Sequence, residues 1–275
     1  MALITAADVS KLRKITGAGM MDCKKALTEA DGNFERAQEL IRERGLAIAN
    51  KRADREASEG AVLSCSANDK KAGVVIALNC ETDFVAKNQD FIALANDILK
   101  LAVEKLPADL DALKSTKLGN KTVEEIVLER SGITGEKMEL AYYDFVKANY
   151  VAYYIHMGNK LATIAGFNQP VDEQVGKDVA MQIAAMDPVA VDKDDVPQHI
   201  IEKELEIGRE QARNDGKPEN MLDKIALGKL NKFFKDSTLL NQEFVKDSKK
   251  TIAQYLHEQD KNLTVTAFKR FGLKN

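Results

Sequence analysis

Between residues 73 and 98 the hydrophobic period of the chain changes. Gly73 to Leu78 is a continuous apolar run of strand length, while Phe91 to Ile98 spaces its apolar residues for one helix face, so a buried strand followed by an amphipathic helix is expected. The connection between them, NCETDFVAKN, contains an aromatic, Phe84. A side chain of that size in a turn either packs back on its own core or reaches for another molecule.

The same reading extends to the rest of the chain. Residues 1–45 predict three short helices: one capped by Thr5 with Val9, Leu12 and Ile15 on a face, a break at Gly17-Ala18-Gly19, a second from Cys23 to Ala30 capped by Asp22, and a third through Phe34, Ala37, Leu40 and Ile41 that stops at Gly45. The core of such a bundle is small, which suits an adaptor attached to a larger body. Residues 46–60 have little apolar period and read as a partly helical linker. Strands at 61–65 and 73–78, with a turn at Asn68-Asp69, form an expected hairpin. Strand, loop and helix then recur at 161–167 and 174–186, with a helix at 122–129 and a strand pair at 137–143 and 149–155 before them. A helix at 249–258 capped by Ser248 and a strand at 263–271 close the pattern.

Two helical stretches, 197–212 and 219–234, flank Asn214-Asp215-Gly216-Lys217-Pro218, a signal for ending one helix and starting the next. They predict an antiparallel helical hairpin inserted in the second half. The expected class is therefore α+β: an N-terminal three-helix bundle (1–45), a linker (46–60), a first core subdomain (61–136), a second (137–193 and 235–275), and the inserted hairpin (194–234), each core half being an antiparallel sheet covered by helices.

Composition narrows the function. With 275 residues, 44% hydrophobic, there is material for substantial cores, and a net charge of −3 with pI near 5.8 gives no general attraction for a polyanion. Arg42, Arg44, Lys51, Arg52 and Arg55 make a local basic stretch, but Glu43, Asp54 and Glu56 interleave it and no aromatics accompany it. It reads as a solvated helix face; an RNA-binding or ribosome-associated adaptor is the alternative, and no direct nucleic-acid contact is expected. Cys23, Cys65 and Cys80 match neither a disulfide framework nor a zinc site and read as small core residues in a reducing compartment. Without a signal pattern or a membrane-length apolar stretch, a cytoplasmic protein with no membrane contact is expected.

Catalytic motifs fail one by one. Gly17-Ala18-Gly19 follows a helix and lacks the third glycine of a dinucleotide fingerprint, and Gly119-Asn120-Lys121-Thr122 has the wrong order for a phosphate loop. His156, His199 and His257 stand apart with no nucleophile motif beside them, and Asp194-Asp195 reads as charge favouring a helix start. No catalytic residue, cofactor, metal or small-molecule substrate is expected, and the chain is not read as an enzyme.

Three stretches carry a resemblance. LRKITGAGMMDCKKALTEADGNFERA (12–37), NCETDFVAKN (79–88) and GKPENMLDKIALGKLNKFFKDSTLLNQEFVKD (216–247) resemble signature segments of the bacterial elongation factor Ts family. The resemblance implies a ubiquitin-associated-like N-terminal bundle, a two-part core with a helical hairpin, and a guanine-nucleotide exchange factor that binds the GTPase elongation factor Tu. It implies that Thr82, Asp83, Phe84 and Val85 displace the magnesium ion on that GTPase, with Phe84 wedged between two helices of its nucleotide domain. It further implies contacts at Lys24, Gly135, His156 and Val245. Each also has a plainer reading: a solvated lysine, a turn glycine, a strand-end histidine, a core valine. Thr134 and Glu243 stand where some members carry Ile and Pro. Weakening GDP ten-thousandfold takes about 5.5 kcal/mol of differential binding, whereas one buried phenyl ring supplies roughly 1.5 to 3 kcal/mol. A distributed interface follows.

Overall fold

The computed structural model describes residues 4–52 and 54–273; residues 1–3, 53 and 274–275 of the expected segments lie outside them. The chain forms two compact units, Met1–Leu63 with Ile76–Asp144 and Gly272–Asn275, and Ser64–Val75 with Phe145–Phe271. The class is α+β, as expected.

The first unit opens with α1 (Ala6–Thr16), α2 (Met20–Glu29) and α3 (Phe34–Lys51). Thr5 caps α1 reciprocally with Asp8, each backbone N–H donating to the other's side chain, and Gly17 ends it in a left-handed conformation, φ 73°. Leu12, Cys23, Ala26, Leu27 and Ala37 are fully buried where the three helices meet. Two expectations are corrected. Helix α2 begins at Met20 with extended Gly19 as its N-cap, so Asp22 sits in the first turn and favours the helix dipole without capping it. Helix α3 does not stop at Gly45 but continues to Lys51. Gly45 is where α3 meets Gly132 of α7 (Val123–Thr134): a Cβ on Gly132 would stand 2.2 Å from the Gly45 Cα. The glycine serves close helix approach, not termination.

Hairpin β1 (Glu59–Ser66) and β2 (Ala72–Cys80) is joined by β5 (Met138–Lys147) in a sheet of order β1-β2-β5. Between β2 and β5 lie α4 (Asp83–Ala86), α5 (Gln89–Lys105), α6 (Leu110–Ser115), the short antiparallel pair β3 (Lys117–Leu118) and β4 (Lys121–Thr122), and α7. Asn88 caps α5, whose buried face is Phe91, Leu94, Ala95, Ile98, Leu99, Leu101 and Ala102. Helix α6 and strands β3 and β4 carry no sequence period long enough to announce them.

In the second unit, β6 (Tyr150–Ile155) pairs antiparallel with β7 (Leu161–Phe167), and β10 (Val265–Gly272) completes a sheet of order β10-β7-β6. The strand pair expected at 137–143 and 149–155 is therefore corrected, because β5 and β6 belong to different sheets. The Ala148 and Val151 N–H groups donate instead to the carbonyls of Lys71 and Lys70. Helix α8 (Glu173–Met186) packs on β6 and β7 through Val179 and Ile183, helped by Gly176, where a Cβ would come within 2.8 Å of the Ala152 Cβ. The expected hairpin is present as α9 (Gln198–Asn214) and α10 (Leu222–Ser237), in contact where Gly208 meets Ala226. Strands β8 (Glu243–Phe244) and β9 (Asp247–Thr251) lead to α11 (Ile252–His257). The helix expected from Lys249 with Ser248 as cap is corrected: those residues are extended in β9, and Thr251 with Gln254 forms the capping box.

Gly132→Ala is expected to lower the unfolding free energy by roughly 1 to 3 kcal/mol through overpacking against Gly45. Gly228→Ala, in α10 with open space at its Cβ position, is expected to raise it by roughly 0.5 to 1 kcal/mol. Urea unfolding followed by circular dichroism checks both.

Candidate functional site

The TDFV stretch is a single helical turn held at its base. Thr82 is the N-cap of α4; its Oγ1 accepts the Val85 N–H and donates to Glu136 Oε1 at 2.6 Å, while its N–H donates to Glu136 Oε2 at 3.0 Å. Glu136 is in place because α7 ends at Gly135 in left-handed backbone, φ 71°, and Ser131 Oγ donates to the Glu136 carbonyl at 2.6 Å. Glu81 ties the preceding residue down: its carboxylate accepts the Lys137 N–H at 2.6 Å, Arg52 at 3.1 Å and Arg55 at 3.0 Å. The Lys137 N–H above all, then the two arginines, hold that carboxyl below the usual range. Cys80 lies beneath, its thiol donating to the Thr82 carbonyl at 3.2 Å and pushed up to about 12, chiefly by burial.

On this anchored turn Asp83 accepts Lys87 Nζ at 2.6 Å, an i,i+4 pair, and Val85 is half-buried. Phe84 is 84% exposed. It belongs to no core of its own.

The basic stretch is spent within the first unit. Arg42 pairs with Glu129 at 2.8 Å, Arg44 with Glu29, and Arg52 and Arg55 with Glu81. These guanidinium groups cross-link α3 and the residues after it to neighbouring acids. Lys24 is exposed on α2, in a shallow depression with Met21, Lys25 and Arg44.

In the second unit, His156 and Val245, distant in sequence, line one groove of about 390 Å³ with Tyr154, Leu161, Met181, Ala184 and Ala185. Its walls are mainly apolar. His156 Nδ1 lies 3.1 Å from the Tyr154 hydroxyl, and the His156 backbone N–H donates to the Leu161 carbonyl where β6 turns into β7. Val245, 45% exposed, is on the turn between β8 and β9. The structure thus joins Thr82–Val85 to Gly135 through Glu136, and His156 to Val245 through the groove. Lys24 stands with neither group. Sequence reasoning missed Glu136 and Met181, which no local spacing ties to the turn or the groove, and gave Glu81 and Tyr154, beside Thr82 and His156, no structural part.

Among the described residues no cluster of His, Cys, Asp or Glu is arranged to hold a metal ion, and no helix is long and apolar enough to cross a membrane. A family model described as Elongation factor TS matches residues 81–275. The chain is 54% identical over 271 residues to Elongation factor Ts of Porphyromonas gingivalis, with 98% of each chain covered. It is 50% identical over 275 residues to the Christiangramia forsetii protein of that name, covering 99% of this chain and 100% of the relative. Against the Bacteroides thetaiotaomicron protein of that name it is 44% identical over 328 aligned positions, covering 98% of this chain and 99% of the relative. With turn, groove and helical hairpin carried on a chain this similar along its whole length, the protein belongs to the elongation factor Ts family of translation elongation factors.

Proposed function

We propose that this protein is a guanine-nucleotide exchange factor that binds the GDP form of elongation factor Tu, displaces the magnesium ion held there and releases GDP so that GTP can enter. One observation carries this: the Phe84 ring stands 84% exposed on a turn fixed at its base by Glu136 and Glu81. A phenyl group presented to water on a rigid mount is a binding anchor, because its burial is worth roughly 1.5 to 3 kcal/mol and little ordering entropy remains to be lost.

Phe84 enters between two helices of the GTPase nucleotide domain, and Asp83 makes a polar contact beside it. Magnesium demands near-ideal octahedral geometry, so small displacements of the GTPase residues around it weaken its hold on the nucleotide phosphates. No catalytic group is needed, since the factor works by coupling: whatever it takes from GDP affinity, GDP takes from its own. The remaining energy comes from Lys24, from the Gly135 bend, and from an apolar side chain of the GTPase seated between His156 and Val245.

Phe84→Ala is expected to slow catalysed release of a fluorescent GDP by about tenfold or more while leaving the thermal unfolding midpoint in place; unchanged release in stopped flow sinks the proposal. Glu136→Ala removes both acceptors of Thr82 and is expected to cost roughly 1 to 2 kcal/mol of stability together with part of the exchange rate, read by the same two assays. Excess magnesium with GDP is expected to dissociate the complex with the GTPase in gel filtration, and a complex indifferent to them contradicts the coupling.

A further inference from the structure

Val245 and Lys246 are the two residues that reverse the chain between β8 and β9, where Phe244 pairs with Asp247. Two-residue hairpin turns are ordinarily set by glycine, asparagine or aspartate in left-handed backbone. Neither residue is of that kind, and neither has a positive φ. The strand register also shifts between Glu243 and Phe244. The hairpin does not dictate its own turn, so the conformation comes from outside it.

Helix α8 supplies it. Gln182 is fully buried; its Oε1 accepts the Val245 N–H at 2.9 Å, and its Nε2 donates to the Glu243 carbonyl at 3.1 Å and to Gln242 Oε1 at 3.3 Å. Gln242, also buried, donates in turn to the carbonyls of Met186 at 3.2 Å and Asp236 at 3.1 Å. One turn earlier on the same face of α8, Asp178 accepts Lys246 Nζ at 2.7 Å, the Tyr255 hydroxyl at 3.0 Å and Gln174 Nε2 at 2.7 Å. Both residues of the turn are thus held from one helix, the first by its backbone and the second by its side chain. A buried amide network leaves polar atoms unmet in any other arrangement, which selects a single geometry. Met181, Ala184 and Ala185 of the same helix line the groove that Val245 completes. Helix α8 builds the groove and also fixes the residue at its rim.

We infer that Gln182 and Asp178 are positioning residues, which place Val245 opposite His156 so that the groove is already shaped when the GTPase arrives. This rests on the proposal that Val245 meets the GTPase. In the folded chain neither residue is exposed, so each acts through the turn it holds.

A double-mutant cycle tests it. Gln182→Met keeps the side-chain length and removes the amide; Val245→Ala removes the contact. Affinity for elongation factor Tu is measured by calorimetry for the wild type, each single variant and the pair, with thermal unfolding recorded for each. Each single change is expected to weaken binding by about five- to tenfold, and Gln182→Met is expected to add less than about twofold once Val245 is alanine. Full additivity, or a Gln182→Met protein that binds as tightly as the wild type, overturns the inference while leaving Val245 as a contact. A Val245→Ala protein of unchanged affinity removes the contact itself, and the inference with it. Should Gln182→Met not fold, Lys246→Met breaks the link to Asp178 from the half-exposed side and takes its place in the cycle, with the same non-additivity expected.

Discussion

The carboxylate of Glu136 gripping the backbone and hydroxyl of Thr82 is the interaction on which the rest depends. A single turn of four residues has no cooperative stability of its own, so without that grip α4 would be one state among many. With it, the end of β2 and the end of α7 are locked together, and what stands on the turn is presented in one direction. Glu81 repeats the device one residue earlier, by way of Lys137 and the two arginines. Two adjacent residues of the connection are therefore tied to the two residues that lead into β5, and the exposed ring above them is mounted, not tethered.

The second unit meets the same problem with different chemistry. Its groove is made from residues brought in by β6, α8 and the β8–β9 turn, and the turn lacks the residue types that would fix it locally. Buried amides replace a carboxylate as the clamp. In both units a surface residue proposed to meet the partner is placed by polar groups that are partly or wholly buried, and hydrogen bonds shielded from water are stronger than exposed ones. Distributing the proposed contact across two clamped sites agrees with the size of the coupling that the proposed nucleotide release demands, which no one side chain provides.

Most long elements were legible because a single period ran through them. Helix α5, strand β2 and the α9–α10 hairpin each keep their pattern beyond a few turns, and the turn at 214–218 carries Gly and Pro at the right offsets. What failed was what depended on a distant partner. Gly45 reads as a stop until Gly132 is seen against it, and Ser248 reads as a cap until β9 claims it. The separation of β5 from β6 rests on the carbonyls of Lys70 and Lys71, nearly eighty positions away. The site divides in the same way. Phe84 was conspicuous because an aromatic in a polar turn lacks a local reason, whereas nothing near Glu136 or Gln182 in the chain announces Thr82 or Val245.

Cys80 has a consequence of its own. With its thiol pushed up, chiefly by burial, beneath the TDFV turn, Cys80 carries little thiolate at neutral pH. Peroxides and alkylating electrophiles attack the anion, so Cys80, buried and held as the thiol beneath the turn, is a poor target for them.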